Sequence, residues 1–162
     1  FVATEQVDVA RLTDETLAKA SSLGDRRWVL DQLADAEVPL DAQRIAQAWL
    51  QLAANAVQYS EAGTTVGMGS RLAEGELWLW VRDQGVGIPE SERERILSRK
   101  AMGRGGTGTG LGLAIVSSIA GAHGGRVDVQ STIGVGSRIA MVIPTAATPH
   151  EEEEDDEPDP DR

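Results

Sequence analysis

LQLAANAVQYS, residues 50–60, is the stretch on which the reading of this chain turns. It forms the second half of a run predicted to be helical from an N-cap at Asp41 to about Tyr59. Ile45, Trp49, Leu52 and Ala56 recur at steps of three and four, the spacing of a buried stripe. Gln51, Asn55 and Tyr59 stand at i, i+4 and i+8, so they make one polar line beside that stripe. A buried-edge amide is more often a satisfied structural group than a ligand. What the line means therefore depends on the rest of the chain.

Two glycine-bearing segments follow it. Asp83-Gln84-Gly85-Val86-Gly87-Ile88-Pro89 begins at the end of an alternating strand. Asp and Gly favour turns, which is the plain reading. The functional one is that glycines let backbone approach a flat ring while the carboxylate accepts from an exocyclic amine. GRGGTGTGLG, residues 103–112, leads directly into the apolar run from Leu113. It sets backbone N–H groups at the start of a predicted helix from about Leu111 to Ala122, a site suited to phosphate oxygens. Pure flexibility fits poorly with the abrupt change from Gly108-Thr109-Gly110 to LGLAIV.

Other elements surround these. A short helix is predicted over residues 7–22, with a strand over 28–33 after it. A hairpin spans Thr64–Leu72 and Glu76–Val81 around a turn at residues 73–75. Residues 90–107 are polar and weakly patterned, and two last strands, 126–131 and 137–143, end before Pro144. Helices and hairpins without βαβ repeats indicate an α+β class with a mostly antiparallel sheet. GRGGTG at 103–108 satisfies a dinucleotide-binding pattern, but the preceding SERERILSRKAM is charged and helix-like rather than a strand.

In this order and spacing the segments resemble the ATP-binding catalytic domain of sensor histidine kinases, part of the superfamily shared with DNA gyrase, the heat-shock chaperone ATPases and the mismatch-repair ATPases. The likeness rests on LQLAANAVQYS, DQGVGI, GTGLGLAIV and the closing AHGGRVDVQSTIGVGSRIAMVIP, and covers roughly residues 7–144. It implies a Bergerat-type fold: a two-layer α/β sandwich, its mixed and mostly antiparallel sheet packed on about three helices, with ATP held under a mobile lid. The resemblance makes Asn55 the Mg²⁺ ligand, with Gln51 and Gln58 beside it. It sets Tyr59 against the adenine face and makes Asp83 the acceptor for the adenine amine. Gly85, Gly87 and Ile88 would line the base pocket, and Gly108, Thr109, Gly110, Leu111, Gly112 and Leu113 would wrap the phosphates. Its implied cofactors are ATP and Mg²⁺. Its implied partners are a histidine-bearing dimerisation domain and a response regulator, and its implied setting is cytoplasmic.

Three positions depart from the family pattern. Gln51 stands where a second Asn is usual, Gln58 where a cation usually precedes the Tyr, and Ile96-Leu97-Ser98-Arg99-Lys100 lacks the lid aromatics. Arg99, Lys100 and Arg104 are the open candidates for the missing charge. Hydrolysing relatives carry a Glu at the position of Gln51, and an amide cannot serve as a general base near neutral pH. The site is therefore expected to hold ATP for transfer. The competing reading is a degenerate non-catalytic or anti-sigma-type regulator on the same fold. His123 and His150 are read as structural.

Composition bounds the remaining options. The 162 residues include no Cys and only two His, which excludes a disulfide framework and histidine-built metal centres. No apolar run is long enough for a membrane span, so this piece is expected to make no membrane contact. Phe1 in place of Met reads as a piece cut from something larger. Residues 150–162 carry nine acids against Arg162, leaving −3 of the formal −11 on the rest. Neither part offers a basic nucleic-acid groove. The domain is expected over 1–146, with an acidic, disordered tail over 147–162. Trp78 and Trp80 should leave the helix-covered face of their strand and cover Gly67 and Gly69.

Overall fold

The computed structural model describes residues 2–97 and 113–146. The expected tail and most of the second glycine segment, Gly108 to Gly112, lie outside the described residues.

The chain opens with β1 (Glu5–Asp8) and α1 (Val9–Ala20). One helix over residues 7–22 is thus corrected to a strand followed by a shorter helix. Val7 pairs with Val38 of β3 (Glu37–Leu40), and Asp8 caps α1 by accepting from the Arg11 N–H at 3.3 Å. Thr13 and Thr16 of α1 donate to the carbonyls four residues back, and the Thr13 hydroxyl also meets Ser70 Oγ at 2.8 Å. That contact pins α1 to the main sheet.

The predicted long helix is α2 (Ala42–Gln58), capped by Asp41, whose Oδ1 accepts from the Arg44 N–H at 3.2 Å. Ile45, Trp49, Leu52 and Ala56 are all buried, as the stripe requires. β2 (Arg27–Gln32), β4 (Thr65–Ala73), β5 (Glu76–Arg82), β6 (Arg126–Thr132) and β7 (Gly136–Pro144) form one sheet in the order β2-β4-β5-β7-β6. Only β2 and β4 pair in parallel. The β4–β5 turn is tight, with Glu74 and Gly75 at φ 52° and 77°, the left-handed pair that a two-residue hairpin needs. α3 (Glu90–Leu97) fills part of the region read as polar and weakly patterned, where SERERIL looked helix-like, and α4 (Leu113–Ala122) follows the second glycine segment. Four helices among the described residues therefore replace the three expected.

Helices lie on one face of the sheet, giving the two-layer sandwich. Leu77, Leu79 and Val81 point into the core beneath them. Trp49 is fully buried and donates its indole N–H to the Trp80 carbonyl at 3.0 Å, tying α2 to the sheet. On the other face Trp80 does cover Gly69, whose missing side chain would collide with the indole. Gly67 is covered instead by the ion-paired Asp31 and Arg82, because Trp78 stands opposite Arg71 further along the hairpin.

Candidate functional site

Between α2, α3 and the ends of β5 and β7 lies a cavity of about 220 Å³. Its apolar walls include Leu52, Ala56, Val81, Ile88, Ile96 and Ile139. Its polar groups are Asn55, Tyr59, Asp83, Glu92, Arg95 and Ser137.

α2 supplies the first wall. Asn55 is only 4% exposed, and its Oδ1 accepts from Gln51 Nε2 at 3.2 Å. Tyr59 ends the helix and donates its backbone N–H to the Asn55 carbonyl. Gln58, one position earlier, is exposed and takes no part in the cavity wall. Sequence reading missed what fixes this helix end. The Arg26 guanidinium donates to the carbonyls of Val57 and Ser60 at 2.8 and 2.7 Å and to Ser60 Oγ at 2.9 Å. A cation on the last carbonyls of a helix is favourable, but Arg26 sits in a loop 31 residues from Val57 with no pattern to announce it.

The second wall is the loop after β5. Asp83 alternates inward behind the outward Arg82. Its Oδ1 accepts from the N–H groups of Gly85 at 2.8 Å and Ser137 at 3.3 Å. No described residue donates to Oδ2. Burial pushes the Asp83 carboxyl up from the usual range, against the lowering effect of those two N–H donors. Gly85 is demanded by space, since a side chain there would run into the Tyr59 carbonyl. Gly87 has φ 79° and lies against the Thr132 carbonyl.

The β6–β7 turn locks that loop. Gly134 donates to the Val86 carbonyl at 3.0 Å, and Ile88 donates its N–H to Ser131 Oγ at 2.6 Å. Ser131 Oγ also meets Ser137 Oγ at 2.8 Å, while Arg93 of α3 donates to the Ser131 carbonyl at 2.8 Å. Ser131, Ser137, Arg93 and the wall residues Glu92 and Arg95 went unnoticed in the sequence. Only the glycine before Ser137 signalled that the chain approaches something closely there.

Of the predicted site residues, Asn55, Tyr59, Asp83, Gly87 and Ile88 meet at this one cavity. Gly85 braces Asp83, and Gln51 braces Asn55 from the side. Leu113 is buried in the core at the start of α4. Gly108, Thr109, Gly110, Leu111 and Gly112 lie outside the described residues, as do Arg99, Lys100 and Arg104. His123 accepts from the Asp41 N–H through Nε2 at 3.0 Å and donates through Nδ1 to the Ile119 carbonyl at 2.8 Å. Both ring nitrogens are thus spent on holding the end of α4 to the start of α2. His150 lies outside the described residues.

An apolar slot with a carboxylate oxygen directed by two backbone donors fits a flat base carrying an exocyclic amine. Among the described residues no cluster of three or more His, Cys, Asp or Glu could hold a metal by itself. The side-chain amide of Asn55 presents a neutral oxygen, a donor type able to serve as one ligand of a metal ion. Such a donor suits Mg²⁺, which keeps waters and phosphate oxygens as its other ligands.

Known proteins resemble the chain in sequence and in fold. The family model for histidine kinase-, DNA gyrase B- and HSP90-like ATPases matches residues 40–147. The solved mycobacterial sensor histidine kinase MprB is similar at 29% identity and a TM-score of 0.75, over 91% of this chain and 99% of that one. Full-length ShkA in complex with AMPPNP is similar at 28% identity and a TM-score of 0.76, over 92% of this chain and 32% of that one. The ATP-binding domain of PrrB from Mycobacterium tuberculosis shares the fold at 24% identity and a TM-score of 0.73, over 88% of this chain and 97% of that one. Comparison with curated protein sequences gives no match.

Proposed function

The chain belongs to the family of histidine kinase-, DNA gyrase B- and HSP90-like ATPases, and on that premise we propose that it hands the γ-phosphate of ATP to a histidine on a separate dimerisation domain, for relay to a response regulator. In this reading residues 1–146 are the catalytic domain of a cytoplasmic kinase portion, and residues 147–162 are an acidic tail. Among the described residues no helix is long and apolar enough to cross a membrane. The observation that carries the proposal is the presence of Asp83 and Asn55 on the walls of one largely apolar cavity.

Each group has one task. Asp83 accepts from the adenine amine through Oδ2, while Gly85 and Ser137 keep its other oxygen engaged. Ile88, Ile96 and Ile139 hold the base and exclude water from it. Tyr59 closes the α2 side. Asn55 offers its amide oxygen to Mg²⁺, which when bound spreads the charge of the phosphates during transfer. Gly108 to Leu113 wrap the phosphates with N–H groups at the head of α4. Gln51 takes up no proton, so water attacking the γ-phosphate meets no base on α2. Transfer then depends on an acceptor brought by the partner domain, since phosphoryl transfer is mostly positioning and charge stabilisation.

The test is titration of the chain with a non-hydrolysable ATP analogue, with and without Mg²⁺, followed by adding the histidine-bearing domain with ATP. Tight Mg²⁺-dependent binding and phosphohistidine formation are expected. Binding without transfer would point to the regulator reading, and no binding would overturn the site.

A further inference from the structure

The helices cover one face of the large sheet, and the opposite face carries a second, smaller apolar cluster of Trp78, Trp80, Ala140 and Val142. Arg138 lies over both indoles, 5.3 Å from the Trp80 ring centre and 6.0 Å from that of Trp78. Arg126 lies 5.7 Å from the Trp78 ring centre. Two arginines here are matched, Arg82 by Asp31 and Arg126 by Glu76, each at 2.7 Å. Among the described residues Arg71 and Arg138 have no carboxylate partner, and Arg138 Nε is buried with no acceptor. Arg138 also stands directly opposite Arg82 on β5, a pairing in which like charges repel. Two carboxylates remain unmatched: Glu74 sits at the hairpin turn, and Asp128 Oδ2 is buried where no donor reaches it. The face thus has an apolar floor, a groove of about 400 Å³, and arginine donors lacking acceptors.

β7 leaves the sheet beside that groove. After β7, Thr145 donates its N–H to the Gly75 carbonyl at 2.8 Å, which fixes the exit at the hairpin end. The first carboxylate beyond it is Glu151, six residues on, at the head of a segment with net charge −8. Six extended residues reach about 20 Å. Arg138 lies seven residues back from Thr145 along β7, about 23 Å at a strand rise of about 3.3 Å per residue, and the two side chains cover the remainder. The uncharged stretch from Ala146 to Pro149 matches the apolar floor, and the acids begin where the arginines stand.

We propose that residues 150–162 fold back over the open face of the sheet and dock their carboxylates on Arg71 and Arg138. This does not rest on the nucleotide reading. The full chain has no Cys, so Glu154→Cys can carry a single nitroxide. Amide and indole N–H signals of the isotope-labelled protein then report where the tail lies. Trp78 and Trp80 indole signals should be lost or strongly broadened, with Trp28, on the helix side, least affected. The effect should vanish near 1 M NaCl, where the screening length is about 3 Å, and when Glu151 to Glu153 are changed to Gln and Asp155 and Asp156 to Asn around the labelled position. It should also weaken in Arg71→Gln, Arg138→Gln. The salt and tail arms leave the folded body unchanged, so they stand even if the arginine variant unfolds. Equal broadening of all four indoles, none at all, or broadening insensitive to salt would overturn the proposal. Broadening passed from a spin-labelled copy to a separately isotope-labelled copy would overturn it too, by showing the occupant to be a second molecule.

Discussion

The two ends of the cavity, in the proposed reading a base end and a metal end, are built in different ways. At the base end Asp83, Gly85, Ile88, Ser131 and Ser137 are joined by backbone and hydroxyl hydrogen bonds between 2.6 and 3.3 Å, across two strand ends and a turn. At the metal end Asn55 stands on α2, with the Gln51 amide four residues back donating to its oxygen. The base end is therefore preformed, and preformed donors and acceptors discriminate because a wrong ligand leaves them unpaired. In the proposed reading the metal end supplies a single ligand and leaves the rest to the phosphates. Affinity should accordingly be governed by the base end, and the fate of the γ-phosphate by the other.

The sharpest way to break this contrast is at Asp83. Asp83→Ala should erase preference for ATP over GTP, a change on the order of several kcal/mol when a buried polar contact is lost. Competition binding of the two nucleotides checks it, and equal affinities in the unaltered chain would refute the assignment. The same carboxyl gives a pH signature. Its folded pKa is raised by burial, so it protonates on acidification sooner than an ordinary aspartate. ATP affinity should fall as pH drops through that raised value, and Asp83→Asn should show no such fall. For folding the sign is opposite. The native state binds the extra proton, so Asp83 costs stability as pH rises from the unfolded value through the raised one.

Asn55→Ala should come next, weakening binding with Mg²⁺ while leaving metal-free binding of adenosine nearly intact. An analogue titration that showed both losing equally would mean that Asn55 shapes the pocket rather than holding metal. Gln51→Glu tests the same end more finely, by placing a carboxylate where α2 now has an amide. Steady-state hydrolysis should rise without any gain in transfer to histidine. Brisk hydrolysis by the unaltered chain would show that the water is activated elsewhere. The smallest effect belongs to Ser131→Ala, which removes the acceptor for Ile88 N–H. One such bond is worth about 1 kcal/mol, so KM for ATP should rise several-fold with kcat little changed. A drop in kcat alone would place Ser131 with the metal end.

How far the sequence revealed this site depends on how local each signal was. α2 was legible because stripe, cap and polar line all lie within the 19 residues from Asp41 to Tyr59. The β4–β5 hairpin was legible through alternation and a turn that only left-handed residues fit. β1 and β3 were not, since each has four residues and their pairing joins Val7 to Val38. Val7 and Val9 looked like one pattern but belong to a strand and a helix. α3 was read only as a helix-like stretch without bounds, because ESERERIL has almost no apolar stripe, with Ile96 as its buried anchor. The braces of the site were silent for a similar reason. Arg26, Ser131 and Ser137 act on groups 31 to 54 residues away, and nothing in their neighbours foretells that.

Arg82 and Asp83 are consecutive residues that serve opposite faces of the sheet, the first bonded to Asp31 outside and the second facing the cavity inside. Because strand side chains alternate, deleting one residue from β5 would exchange them and drive a guanidinium into the base pocket. Gly136, pressed against the Asp83 carbonyl, blocks any compensating bulge with a side chain on β7. Single-residue insertions and deletions within β5 should therefore be far more damaging than most substitutions there. In a library of length variants, tolerated indels should gather at the Glu74–Gly75 turn, and those within Leu77–Asp83 should be purged whatever residue is gained or lost.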